Sequence, residues 1–255
     1  MIKIAVHGIC GKMGEITARM ISAQKDMKVS YGIDPFANGN SMGGAPVYRS
    51  CDEVPSDESC DVIIDFSNFK AIPALIRFAE FRRIPVVVCT TGLDVETKEL
   101  MYNASKIIPV FHSANMSVGV ALLKALAAKA STVLGESFDI EIVERHHNRK
   151  IDAPSGTALA LADAINEANG GKFDYVYDRH SRIEKRCKSE IGISSVRGGN
   201  IVGDHEVLFA GENEVIELTH RAQSRDIFAE GAIKAARFVF ERENGFYTME
   251  DLIVI

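Results

Sequence analysis

The sequence predicts an α/β protein, a doubly wound parallel sheet interrupted by an inserted α+β domain. Three observations carry that expectation. The chain opens with a short apolar strand that runs into a glycine turn and then a helix, Ile2 to Ser22. Further short apolar runs alternate with helical patterns as far as residue 116. Past residue 190, strand patterns follow one another without helices between them. A last helical pattern, Arg225 to Arg242, is expected to return to the first domain, so residues 1–116 and 222–255 make one domain and 117–221 the insertion.

Ile2 to His7 is apolar and β-branched, as a strand buried on both faces must be, and it ends in Gly8-Ile9-Cys10-Gly11-Lys12-Met13-Gly14. Ile16, Met20 and Ile21 then continue at helical spacing. Glycines there permit a tight turn and a close backbone approach to a pyrophosphate, whose charge the helix N-terminus stabilises. Cys10 stands where G-x-G-x-x-G has its second glycine, and tight turns also use glycine, so the turn alone does not decide. Lys28 to Ile33 gives a second strand. Asp34 follows it, 20 residues past Gly14, where a Rossmann-like domain places the acid that binds an adenosine ribose. Pro35 and Phe36 come next rather than an arginine, which favours NADH over NADPH. Lys12, or a side chain of the loop after Asp34, remains able to reach a 2′-phosphate.

Asp61 to Phe66, Pro85 to Cys89 and Ile108 to His112 are the next strands, with helices at Ala71 to Phe81 and Asp94 to Ser105. A doubly wound sheet binds its ligand over the carboxyl ends of its strands. Phe66, Ser67, Cys89, Thr90, Thr91, Ser113, Ala114, Asn115 and Met116 lie at those ends and are expected to line a dinucleotide cleft.

Ser117 to Leu134 is a long helix rich in small residues. Phe138 to Val143 is a strand, Ala158 to Asn169 a helix, and the charged segment Phe173 to Lys188 an exposed loop. Ile191 to Val196, Asp204 to Phe209 and Val215 to Arg221 then form an open sheet whose apolar face needs covering, which points to a homo-oligomer. His180 and His205, in polar surroundings, are taken as surface or hinge residues.

At 255 residues the chain is long enough for a substantial core, and its 46% apolar and 25% charged residues are ordinary for a globular protein. A net charge of -6 provides no basic field for nucleic acid or an anionic membrane, so an anionic ligand must be held by local cations and dipoles. Five cysteines without a C-x-x-C pair fit a reduced, cytoplasmic setting and no zinc site. Met1 to Val6 lacks the features of a signal peptide, and no uninterrupted apolar run approaches 18 residues, so no membrane span is expected.

The stretch with the most chemistry is Glu144-Arg145-His146-His147-Asn148-Arg149-Lys150-Ile151-Asp152-Ala153-Pro154-Ser155-Gly156-Thr157, between a strand and a helix. It offers imidazoles and an ammonium at one end, and at the other a helix start, Ser155 to Thr157, of a size to hold an anion. That suits a substrate that carries carboxylates and needs a proton. A dehydrogenase for aspartate or an aldehyde, and a dinucleotide sensor without turnover, remain alternatives on these residues alone.

With Gly8-x-x-Gly11-Lys12-Met13-Gly14, Cys89-Thr90-Thr91-Gly92, Ala114-Asn115-Met116-Ser117-Val118-Gly119 and the 144–157 stretch in this order, the chain resembles the 4-hydroxy-tetrahydrodipicolinate reductase family along its whole length. The resemblance implies reduction of a cyclic dicarboxylate by NADH or NADPH in the diaminopimelate route to lysine, usually by a homotetramer. It makes His146 the proton donor, Lys150 a second donor, and His147, Lys150, Ser155, Gly156 and Thr157 contacts to substrate. Gly8, Ile9, Cys10, Gly11, Lys12, Met13, Asp34, Cys89, Thr90, Thr91, Ser113, Ala114, Asn115 and Met116 match its cofactor segments. Cys89 replaces a usual glycine, and Met116 stands where an aromatic residue is common.

Overall fold

The computed structural model describes residues 1–37, 44–180 and 182–253, so half of the loop after Asp34, a candidate to reach a 2′-phosphate, lies outside the described residues. The chain divides into two compact units, Met1–Val118 with Asp226–Val254, and Gly119–Arg225.

In the first unit, β1 (Ile2–His7), α1 (Lys12–Ser22), β2 (Met27–Ile33) and β3 (Val47–Tyr48) are followed by β4 (Val62–Asp65), α2 (Ile72–Arg82), β5 (Val86–Val88), α3 (Val95–Ala104) and β6 (Pro109–His112). Every pairing is parallel, in the order β3-β2-β1-β4-β5-β6. The order reverses between β1 and β4, so a crevice opens at the carboxyl ends of those two strands. All residues of β4 and β5 are buried, which is why their sequences are unbroken apolar runs closing on Asp65. On one face Ala5, Ile63, Val86 and Val110 pack with Leu75, Ile76 and Ala79 of α2 and Met101 of α3.

The second unit begins with α4 (Val118–Leu134), then β7 (Asp139–His146), α5 (Gly156–Ala168), β8 (Asp174–Val176), β9 (Glu190–Arg197), β10 (Gly203–Ala210) and β11 (Val215–Ala222). Its sheet is mixed: β10 runs antiparallel to β11 and β7, while β7, β9 and β8 are parallel. One face is closed by Leu123 and Ala127 of α4 and by Ala158, Leu161, Ala162 and Ile165 of α5, packed on Ile140, Ile142, Ile191, Ile193, Val207 and Phe209. Val196 and Val215 are exposed.

The chain then re-enters the first unit through α6 (Asp226–Phe240), β12 (Gly245–Tyr247) and α7 (Met249–Leu252). Helix α6 packs on α1 and on β4, β5 and β6, with Phe238 edge-on to Phe111. Arg237 grips both oxygens of Asp26, and β12 adds a parallel edge strand to β6.

Two sequence expectations are corrected. The segment Phe173 to Lys188 is not simply an exposed loop: it contains β8, and Arg179, Arg182, Arg186 and Lys188 make ion pairs with Glu190, Glu141 and Asp139. Part of its charge is thus engaged in pairing, while Asp174, Asp178, Glu184 and Lys185 are exposed. Strand β7 continues past Val143 to His146, so Glu144 and His146 stand on a strand and not in a loop. The helical run Val118–Ser137, with mean hydropathy 1.5, is long and apolar enough by composition to cross a membrane. Lys124 and Lys129 interrupt it and hide it from a search for unbroken runs.

Candidate active site

In the first unit the glycine turn is built by close contacts. Gly8 has a φ of +81°, in the left-handed region, and a Cβ there would lie 2.7 Å from the Phe66 carbonyl oxygen. At Gly14 a Cβ would lie 2.0 Å from the Gly8 carbonyl oxygen, so α1 presses directly on the turn. Gly11 caps α1 without any side-chain hydrogen bond, which leaves the helix start open to an anion. Asp34 is buried, and its carboxylate accepts from the Cys10 and Phe36 N–H groups at 3.0 and 2.9 Å. Burial first, and then the charges of Asp34 and Glu15, push the Cys10 thiol upward from its ordinary pKa. Each carboxylate oxygen keeps a lone pair that a ribose diol can use. A cradle that any Cβ would fill, an uncapped helix start and an acid at the end of β2 fit a dinucleotide.

The sequence expectation missed a second feature of this rim. Asp65, fully buried at the end of β4, accepts from His7 Nδ1 at 2.7 Å, from the hydroxyls of Ser67 and Thr90 at 2.6 Å each, and from the Ser67 N–H at 3.1 Å. One carboxylate thus ties together the ends of β1, β4 and β5. Of the expected cofactor residues, Gly11, Lys12, Thr91 and Ala114 are exposed, and Cys10, Met13, Ser113 and Asn115 are half-buried. Ile9, Cys89 and Met116 have buried side chains, which leaves only their backbone for contact with a ligand. Burial pushes the Cys89 thiol well up.

The second unit places the 144–157 stretch at the end of β7. His146 is buried to 9% exposure, and its Nδ1 lies 2.6 Å from Oε2 of Glu144, which is wholly buried. Arg197 donates to both Glu144 oxygens at 2.8 and 2.7 Å, and the Ser155 N–H donates at 3.1 Å. Burial alone would raise the Glu144 carboxyl. The hydrogen bonds from Arg197, Ser195 and His146 outweigh it and hold the group down at about 2. Glu144 is therefore a carboxylate, an acceptor only, and the proton of the 2.6 Å bond sits on His146 Nδ1. Nε2 is the nitrogen left to gain and lose a proton.

His205 corrects an expectation: it is no surface residue but is 4% exposed, with its ring 5.1 Å from that of His146 at an interplanar angle of 74°. Its Nε2 lies 3.0 Å from Ser155 Oγ. Burial, and then the neighbouring His146, push its pKa down to about 4. Gly203 lies alongside, where a Cβ would stand 3.0 Å from His146 Nε2. The signal for both Glu144 and His205 was the strand period: Ile140, Ile142, Glu144 and His146 share the buried face of β7, and His205, Val207 and Phe209 that of β10.

His147 is half-buried, and burial, with Arg149, Arg225, His146 and Lys150 near it, lowers its pKa. Lys150 is paired with Asp152 at 2.8 Å. Ser155 caps α5 by accepting from the Ala158 N–H, and Gly156 and Thr157 form its first turn. An imidazole, an ammonium and a helix start therefore meet at one end of this sheet.

Fold and site together define an oxidoreductase of the dinucleotide-binding, doubly wound class, with the buried imidazole–carboxylate pair in its α+β unit. The N-terminal model of dihydrodipicolinate reductase matches residues 2–116 and the C-terminal model residues 119–253. The 4-hydroxy-tetrahydrodipicolinate reductase of Caldanaerobacter subterraneus subsp. tengcongensis is 50% identical over 253 residues, 99% of this chain and 98% of that one. The Clostridium novyi enzyme of the same name is 43% identical over 254 residues, again 99% and 98%. Among solved structures, dipicolinate-bound dihydrodipicolinate reductase from Paenisporosarcina sp. TG-14 superposes with a TM-score of 0.83 at 23% identity, covering 99% of this chain and 100% of that one. The chain belongs to the dihydrodipicolinate reductase family.

Proposed function

We propose that this chain reduces 4-hydroxy-tetrahydrodipicolinate to tetrahydrodipicolinate in the diaminopimelate route to lysine, with His146 as the proton donor. The observation that supports this most is the setting of His146, whose Nδ1 is committed to a buried carboxylate 2.6 Å away. The 4-hydroxyl of the substrate leaves as water to give an unsaturated ring, and a reduced nicotinamide, when bound, would supply hydride to a carbon of that ring. His146 Nε2 delivers the proton that completes the reduction, and such general-acid help is worth about 10²- to 10⁴-fold. Lys150 is a second donor and, with His147, Ser155 and the Gly156 and Thr157 amides, holds substrate carboxylate by charge and dipole, which fixes the ring for reaction.

In this reading residues 1–116 and 222–255 bind the dinucleotide, and 117–221 bind substrate and make the subunit contacts. Gly8 to Met13, Asp34, Cys89 to Thr91 and Ser113 to Met116 hold the cofactor. Asp34, with no arginine beside it, favours NADH over NADPH by accepting from a ribose diol and repelling a 2′-phosphate. The exposed Val196 and Val215 on the second sheet support self-association, for which a homotetramer is the assembly proposed. The five free cysteines are in keeping with a cytoplasmic location.

Oxidation of NADH and of NADPH, followed side by side with enzymatically generated substrate, tests the reading. Turnover with NADH as the better donor is expected, and no turnover with either would overturn it. In the same assay His146→Gln lowers kcat far more than it raises KM. An undiminished kcat removes His146 from the mechanism.

A further inference from the structure

Among the described residues Glu144 is the carboxylate paired with His146, and it lies fully inside the second unit. Burying a charge without a partner is costly, so its surroundings must compensate. They do so with donors on both oxygens, Ser195 adding to the four that follow. Oε1 accepts from Arg197 Nη2 and the Ser155 N–H, and Oε2 accepts from Arg197 Nη1 and His146 Nδ1. Arg197 is itself fixed by donating to the Asp152 carbonyl oxygen at 2.6 Å. We propose that Glu144, held by Arg197, is the positioning residue that keeps neutral His146 in its Nδ1–H form and so reserves Nε2 for proton exchange.

The inference rests on the reading of His146 as proton donor, and it adds the residues that make only one of its nitrogens available. The groups around the ring agree with it. Gly203 of β10 offers no side chain beside Nε2, and the cap residue Ser155 engages His205 rather than His146. His205 presents its ring at 74° to that of His146 and stays uncharged near neutrality. Lys150 adds positive charge that further disfavours a proton on His205, against the Glu144 carboxylate, which favours one. Arg197 neutralises Glu144 without touching the imidazole, which leaves the carboxylate free to act on Nδ1 alone.

Glu144→Gln is the decisive substitution. Oε1 meets two donors, Arg197 Nη2 and the Ser155 N–H, whereas Oε2 meets only Arg197 Nη1 beside His146, so the amide oxygen takes the place of Oε1 and the NH₂ group that of Oε2, with loss of the Nη1 hydrogen bond. An NH₂ group facing Nδ1 requires Nδ1 to accept, which moves the ring proton to Nε2. Nitrogen-15 NMR of histidine-labelled protein, above the imidazole titration, distinguishes the two tautomers. We expect a protonated Nδ1 and a bare Nε2 on His146 in the natural chain, the reverse in Glu144→Gln, and a kcat lowered roughly 10²- to 10⁴-fold with KM changed little. A natural chain with Nε2–H, or a Glu144→Gln variant with the tautomer or kcat unchanged, would overturn the proposal. The spectrum of the natural chain needs no variant, so it decides even if Glu144→Gln does not fold. A fully active His146→Gln would instead sink the proton-donor reading while leaving the Nδ1–H signal of the natural chain in place.

Discussion

Ser155 Oγ lies 3.0 Å from His205 Nε2 while accepting from the Ala158 N–H, so a single hydroxyl starts α5 and fastens the ring against which His146 rests. Its removal has two effects at once. Ser155→Ala loses a helix cap and leaves His205 Nε2 buried without its hydroxyl partner, together roughly 1–3 kcal/mol of stability. Urea unfolding measures the loss, and a value near zero would mean that water replaces the hydroxyl.

Gly203→Ala tests the space beside His146. The added Cβ would stand 3.0 Å from Nε2 and 3.3 Å from Cδ2, closer than such atoms settle, and the imidazole is held from the other side by Glu144. We expect kcat to fall about tenfold or more with circular dichroism unchanged, since small misplacements of a reacting group are costly. Undiminished kcat would show that the ring yields without consequence.

Asp65→Ala is expected to destabilise the first unit by about 3–5 kcal/mol, because it strands His7, Ser67 and Thr90 around a missing buried carboxylate. It also frees the ends of β1, β4 and β5, so cofactor affinity falls with stability. Calorimetric titration with NADH alone reads the second effect. Affinity unchanged in a destabilised variant would limit Asp65 to a structural role.

Acid lowers stability in two windows. His205 has its pKa pushed down from 6.5 to about 4, so between those values the unfolded chain takes up a proton that the folded chain refuses. Stability falls as pH falls through that range. Glu144, held down from 4.5 to about 2, contributes stability that is complete above 4.5 and is lost as pH falls toward 2. Urea midpoints measured at a series of pH values follow both windows, and His205→Gln should flatten the upper one. An unchanged slope in that variant assigns the upper window to another group.

Much of the fold was legible because burial on both faces writes itself as unbroken apolar runs: β1, β4 and β5 were visible for that reason. Strands β3, β8 and β12 span only two or three residues, too few for a period to register. The 144–157 stretch stood out because several chemical groups are adjacent in sequence. His205 and Arg197 did not, since they reach His146 and Glu144 only through strand pairing: β10 and β9 bring them in from either side of β7. The strand alternation carried a readable hint for Glu144 and His205, which fall on buried positions. Asp65 carried a weaker one, as an acid closing an otherwise apolar strand.

The first unit is closed by α6 and β12, which the chain reaches only after the whole of residues 119–225. On a ribosome adding about 5–20 residues per second, the opening strands wait on the order of 5–20 s for the helix that covers β4, β5 and β6. During that interval their uncovered apolar surface is available to chaperones and to neighbouring nascent chains, while the later-made α+β unit can already be complete. The order of maturation is then the reverse of the order of synthesis, and truncation before residue 226 removes the closing helix from the nucleotide-binding half as well.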